Sequence, residues 1–309
     1  MYKIYSVKKP ALAGTRFVTQ SLTKNNAASD SLNYCANIVR QFDYENYLAT
    51  LLITKSIRSP ALVIRAFNVE VARVQDQATD PQIAAMRLQF WHNSLSKIFK
   101  KSNISEIPAN PVVQELFKVC QRHKLPQMYL ERLISSRSNI LKTKYFRTIE
   151  DIETHSENSV SSIYYLLLKV SGITNVNADH AASHLGKSQG IVNILRSIHV
   201  SNHHKMVSLP MDVLMKYKMS QESILRGIDN EAMRNVIFEV ASRANSHLQK
   251  ARSIEVPKIV NQIFLPSIAI DHYLTKLQKK HFNVYDISIQ NRNPTLPFKL
   301  YFKRLLNKY

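Results

Sequence analysis

Apolar residues recur at every third or fourth position along most of the chain, the period of a helix with one buried face. The first such run, "LNYCANIVRQFDYENYLATLLI", predicts a helix over residues 32–53. Pro60 then fits the first turn of a helix that runs into "AFNVEVARVQDQ" (66–77), where Phe67, Val71 and Val74 share a face. Pro81 opens another, "PQIAAMRLQFWHNSLSKIF". A polar loop with Pro108 and Pro111 leads to two shorter helices, over roughly 112–123 and 126–142. Thr148 and Asp151 have capping-box spacing, and the segment they open ends at Gly172. Within it, "SIYYLLLKV" is too short to span a bilayer and reads as a buried helix. Asn177 is the expected cap of a long helix over 177–198, and Pro210, Pro257 and Pro297 punctuate the remainder. There is no internal repeat and no low-complexity segment.

Composition narrows the fold class. The five glycines are Gly14, Gly172, Gly186, Gly190 and Gly227, too few for turn-rich sandwiches, barrels or Rossmann folds. No Asn-Gly or Asp-Gly turn joins alternating apolar runs. The expectation is all-α, in one domain over residues 30–309. Residues 1–29 carry Lys3, Lys8, Lys9, Arg16 and Lys24, no acid, and many Ser, Thr and Ala; this composition predicts a mitochondrial targeting segment.

The net charge of +20 favours anionic partners of any kind. Lysines and arginines are spread along the chain with no nucleic-acid-binding motif, so no nucleic acid is expected as a partner. Cys35 and Cys120 lack metal-ligand spacing and are expected to be reduced core thiols. His180 and His184 stand at i, i+4, a spacing that can bind zinc. No glutamate lies between them and no third ligand is evident, so a surface or core pair is expected. His199, His203 and His204 fall in what reads as a solvated basic loop.

Three segments together carry a resemblance. "YLATLLITKSIRSPALVIRAFN" is similar to the leader into the first active-site helix of the squalene/phytoene synthase family, with Leu51, Leu52, Arg58, Ala61, Ala66 and Phe67 in place. "LQFWHNSL" resembles the family's Leu-x-x-Trp-Arg segment, keeping Leu88 and Trp91 but with His92 for arginine. "GKSQGIVNILRSIHVSNHHKMVSLP" resembles the second active-site helix and its following loop, through Gly186, Gln189, Asn193, Ile194, Leu195, Arg196, Leu209 and Pro210. The resemblance implies the type I isoprenoid synthase fold, a bundle of helices around a cavity.

It also exposes what is missing. The family's first Asp-Asp-x-x-Asp motif is here Ala72, Arg73, Val74, Gln75, Asp76, and its second, Asp-x-x-Glu-Asp, is Ser197, Ile198, His199, Val200, Ser201. Magnesium bound to a diphosphate needs several carboxylate oxygens, and Asp76 alone cannot supply them. No catalytic residue, metal or cofactor is therefore expected. Arg73, with Glu70 and Asp76 three residues either side, is expected to pair locally in preference to forming an anion site. Gln189, Asn193 and Ser197 make a polar stripe at i, i+4, i+8, which either lines a retained cavity or bonds neighbouring helices in a closed core.

In the final segment, Phe298, Tyr301, Phe302, Leu305 and Tyr309 are placed on one face, with Lys299, Lys303, Arg304 and Lys308 around it. Such a helix either lies on an anionic membrane or closes the core, and the net charge tilts the expectation to peripheral membrane contact. Several segments are more similar to a mitochondrial, non-catalytic branch of the family that serves respiratory complex I. That resemblance implies a matrix protein peripheral to the inner membrane, acting early in biogenesis of a membrane-embedded core subunit. Its partners would be complex I subunits or assembly intermediates. The alternatives are a prenyl-diphosphate or lipid transferase, and a lipid-binding module using the cavity.

Overall fold

The computed structural model describes residues 22–78, 80–100, 103–203 and 206–309. Most of the expected targeting segment, residues 1–21, and His204 lie outside those ranges. Helices α1 (Leu22–Phe42), α2 (Tyr44–Leu51), α3 (Lys55–Ala72), α4 (Val74–Gln77) and α5 (Pro81–Lys100) come first. Then follow α6 (Pro111–His123), α7 (Gln127–Thr143), α8 (Ile149–Ser156), a π-helical stretch (Glu157–Ser161) and α9 (Ser162–Val170). The long α10 (Val176–His203) precedes α11 (Met211–Lys216), α12 (Gln221–Leu225) and α13 (Glu231–Ser253). The chain closes with α14 (Ser267–Lys279), α15 (Ile287–Gln290) and α16 (Leu296–Leu305). Two short strands, β1 (Tyr145–Phe146) and β2 (Val207–Pro210), pair in parallel, a small exception to an otherwise helical fold.

Helix α10 is central: α13, α8, α9, α14 and the π-helical stretch all pack on it. Two of the glycines explain how closely. A Cβ on Gly186 would sit 2.5 Å from Ser161 Cα, and one on Gly190 would sit 2.3 Å from Ser156 Cβ. These glycines are spacers at a helix crossing, where a missing side chain lets backbones approach. Gly172, by contrast, ends its helix with a φ of +68°, as the sequence predicts.

Several boundaries differ from the periodicity. The helix expected over 32–53 is two helices, because Asp43 leaves helical geometry (φ −140°, ψ 54°). Helix α3 starts at Lys55, so Pro60 lies inside it and not in the first turn. A distant residue sets that start: the amide and hydroxyl of Thr54 both donate to Gln262 Oε1 (2.9 and 2.9 Å). Asn175, not Asn177, caps α10, accepting from the Ala178 amide (2.8 Å). At its other end α10 continues to His203, so His199 and His203 are helical and not in a loop. The Thr148 cap is as expected, accepting from the Asp151 amide at 3.3 Å.

Candidate functional site

Helix α3 turns one face inward. Arg65, Asn68, Val69 and Ala72 of α3, continued by Asp76 of α4, run along one wall of a cavity of about 720 Å³. Helix α10 supplies the facing wall with Gln189, Asn193 and Ser197. The remaining walls come from α7 (Arg137, Ile140), from Phe146, His155 and the π-helical stretch, and from α14 and the 289–296 segment. Asp76 and Asn193 are exposed at the mouth, while Arg65 is 2% exposed at the far end.

Positions that the resemblance aligns with the two motifs thus meet at one cavity. Ala72, Arg73, Asp76 and Ser197 all line it, but Asp76 is the sole motif carboxylate there. Helix α10 spans Val200 and Ser201, whose side chains are not described. Among the described residues, no group of three or more His, Cys, Asp or Glu side chains is arranged to hold a metal ion. Arg73 corrects an expectation. It forms no ion pair with Glu70 or Asp76; its guanidinium stacks on the Phe42 ring at 3.6 Å. Glu70 instead accepts from the Tyr34 hydroxyl (2.7 Å). α3 ends at Ala72, and Arg73, its C-cap, takes the aromatic face that the end of α1 offers.

The polar stripe does both things that its spacing allows. Gln189 lines the cavity, yet it is held by a chain of bonds: Tyr164 Oη donates to its Oε1 (2.5 Å), and its Nε2 donates to Asn46 Oδ1 (3.3 Å). Asn46 in turn donates to Asp43 Oδ1 (2.7 Å). Burial raises the Asp43 pKa above the usual carboxylate range, against the pull of Arg65 and Asn46. Ser197 donates to the Ile194 carbonyl (2.9 Å).

Charge around the cavity is mostly positive and mostly committed. Arg196 makes a two-pronged pair with Glu45 (2.6 and 3.3 Å) and lies over Tyr273. Arg292 stacks on Tyr44, 4.6 Å from the ring centre. Arg137 donates to Asn68 Oδ1 (2.7 Å), and burial lowers its pKa to about 10. His155, against Phe146, is pushed down to about 3, first by burial and then by Arg137, so it is neutral at physiological pH. Asp43, Arg65, Arg137 and His155 were not singled out from the sequence. One signal was available: Arg65 interrupts the apolar run "ALVIRAFN" at a core-face position.

The histidine pair has two further members that only folding supplies. His184 Nε2 faces His180 Nε2 (3.2 Å), and its Nδ1 faces His247 Nδ1 of α13 (2.8 Å). His247 Nε2 reaches Glu153 Oε1 (2.9 Å), which also pairs with Arg243. The two nitrogens of His184 point to different rings, so the three imidazoles do not converge on a point. Cys35 and Cys120 are buried free thiols, both pushed up to about 12 by burial.

Helix α16 presents a mixed surface. Phe298, Tyr301, Phe302, Leu305 and Leu306 are exposed, with Lys299 beside them, while Leu296 and Leu300 are buried against the bundle. Two assignments to the membrane-facing set are corrected. Arg304 turns inward, donating to the Leu52 carbonyl (3.0 Å) and to Gln262 Oε1 (3.3 Å). Tyr309 packs edge-on against Phe264 and donates to the Ala251 carbonyl (2.9 Å). Both groups satisfy buried acceptors that helical spacing cannot reveal. No helix among the described residues is long and apolar enough to cross a membrane.

The family model for squalene/phytoene synthase matches residues 39–299. The chain is 42% identical over 281 residues to the NADH dehydrogenase (ubiquinone) complex I, assembly factor 6 homolog of Drosophila melanogaster, covering 89% of this chain and 84% of that protein. It is 38% identical to the Homo sapiens NADH dehydrogenase (ubiquinone) complex I, assembly factor 6, over 90% of this chain and 83% of the human protein. A crystal structure of a dehydrosqualene synthase in complex with ligand superposes with a TM-score of 0.76 at 14% identity, covering 91% of this chain and 97% of that one. At that identity the likeness speaks for the fold alone.

Proposed function

The chain belongs to the squalene/phytoene synthase family, and from that premise we propose that it is a non-catalytic member that serves as a mitochondrial assembly factor for respiratory complex I. The observation that carries the non-catalytic part is the pair of facing walls in which Ala72, Arg73 and Ser197 stand where the resemblance places carboxylates. A diphosphate and its magnesium need several oxygen ligands, and Asp76 is one. The complex I part rests on the similarity to assembly factor 6 proteins over most of both chains. In this reading the protein acts early, in biogenesis of a membrane-embedded core subunit, from the matrix side of the inner membrane. The exposed aromatics of α16 beside Lys299 support peripheral contact with an anionic bilayer, which such a surface favours.

Two experiments test the reading. Cells that lack their own assembly factor 6 should regain assembled complex I when they express this chain, and Asp76→Ala should restore it equally. Titration of the purified chain with farnesyl diphosphate, with and without magnesium, should give no magnesium-dependent heat. Magnesium-dependent binding that Asp76→Ala abolishes would instead overturn the non-catalytic reading and direct the search to a prenyl-diphosphate transfer product.

A further inference from the structure

Arg65 is a buried cation with almost nothing bound to it. Its side chain is 3% exposed, its nearest acid is Asp43 at 4.0 Å, and its Nε has no hydrogen-bond partner. No hydrogen bond joins its guanidinium to any described residue. Asp43 is a weak competitor, since its Oδ2 stands 4.0 Å from Arg65, the outer limit of an ion pair, while its other oxygen, Oδ1, accepts from Asn46. A guanidinium carries five N–H donors in a planar fork, and leaving them unmet in a buried place is costly. Ser208, 3% exposed on the same cavity, also has an unpartnered hydroxyl.

The position matters as much as the charge. Arg65 precedes Ala72 by seven residues on one helical face, about 10 Å along the axis. It therefore lies well inside the mouth where Asp76 and Asn193 are exposed, away from the motif end of the cavity. Val69, Ile140, Phe146, Val160 and Ile163 supply apolar walls. Of the other cavity arginines, Arg196 and Arg137 donate to Glu45 and Asn68, while Arg73 and Arg292, both less buried than Arg65, lie over aromatic rings. A buried fork with no hydrogen-bond partner, at the end of an apolar-walled cavity of about 720 Å³, matches one planar monoanion on an apolar chain.

We propose that this cavity holds a single-chain amphiphile by its carboxylate, bound directly to Arg65 without a divalent cation. This rests on the non-catalytic reading above, since an occupied deep end suits a cavity with no turnover.

The test is calorimetric titration of the full chain, in chelator, with oleate below its aggregation concentration. Oleyl alcohol and sodium acetate are the comparison probes. Oleate should bind tighter than oleyl alcohol by about tenfold or more, the worth of one charge-assisted hydrogen bond, and acetate should not displace it. Arg65→Met should erase the preference for oleate, and Arg65→Lys should keep part of it. Phe302→Ser, on the exposed α16 surface, should leave oleate affinity unchanged. Equal affinity for oleate and oleyl alcohol would overturn the proposal, and that comparison needs no variant to fold. Binding that requires magnesium, acetate competing at equal concentration, or a loss in Phe302→Ser would overturn it too. The assembly reading fails separately: the wild-type chain would not restore complex I, whatever the oleate titration gives.

Discussion

Gly186 and Gly190 sit where α10 crosses the end of α8 and the π-helical stretch, and alanine at either position tests how close that crossing is. Added to Gly186, a Cβ would lie 2.2 Å from Ser161 Oγ, 2.5 Å from its Cα and 2.6 Å from its amide nitrogen. Carbon atoms in contact prefer about 3.5–4.0 Å, so α10 or the Ser161 backbone has to move by roughly 1 Å. Overpacking of this kind costs about 1–3 kcal/mol. Alanine recovers about 1 kcal/mol of helix propensity over glycine. The expected net loss for Gly186→Ala is therefore about 0–2 kcal/mol, read in urea unfolding as a lower midpoint with unchanged slope. Gly190→Ala should behave differently under a second substitution. Its clash is mainly with the Ser156 side chain, Oγ at 2.2 Å and Cβ at 2.3 Å, with the backbone Cα at 2.9 Å. Ser156→Gly should thus relieve much of it, giving a positive coupling in the double-mutant cycle. Ser161→Gly should do little for Gly186→Ala, because backbone atoms remain in the way. If Gly186→Ala proves more stable than wild type, by the roughly 1 kcal/mol that helix propensity alone would give, the close approach does not exist in solution and the spacer argument fails.

Other predictions are simpler. His155 takes up its proton near 6.5 in the unfolded chain and about 3 in the folded one. Between those values the unfolded chain binds more protons, so stability should fall as pH drops through that window, by about 2 kcal/mol at pH 5. His155→Gln should flatten that part of the pH–stability curve, and an unchanged curve would show that His155 is not the group responsible. Tyr164→Phe leaves the buried Gln189 Oε1 without its donor and should cost about 1–3 kcal/mol in thermal or urea unfolding. Arg304→Met should lower stability by a similar amount, since it strands the Leu52 carbonyl. It should leave sedimentation with phosphatidylglycerol vesicles unchanged, whereas Phe302→Ser should weaken sedimentation without lowering stability. Cys35 and Cys120 should resist thiol reagents in the native protein and react once it is unfolded.

Periodicity was enough for the helices, because each buries one face and so writes a 3.6-residue pattern into the chain. The scarcity of glycine excluded turn-rich folds for an equally local reason. That Ala72 and Ser197 are not carboxylates was legible in the chain, since residue type needs no geometry to recognise. What the chain alone could not decide depended on partners distant in sequence. Gln262, more than two hundred residues from Thr54, marks where α3 begins and also receives Arg304. His247 joins the His180–His184 pair only because α13 packs on α10. Arg73 had acids at the right spacing but found the Phe42 ring closer. Arg65 carries the same lesson. Its charge on an apolar face was visible in the sequence, but whether that charge was paired, exposed or enclosed is a property of the walls around it. Local pattern is set by which face a helix must bury; the state of a buried polar group is set by what the rest of the fold brings to it.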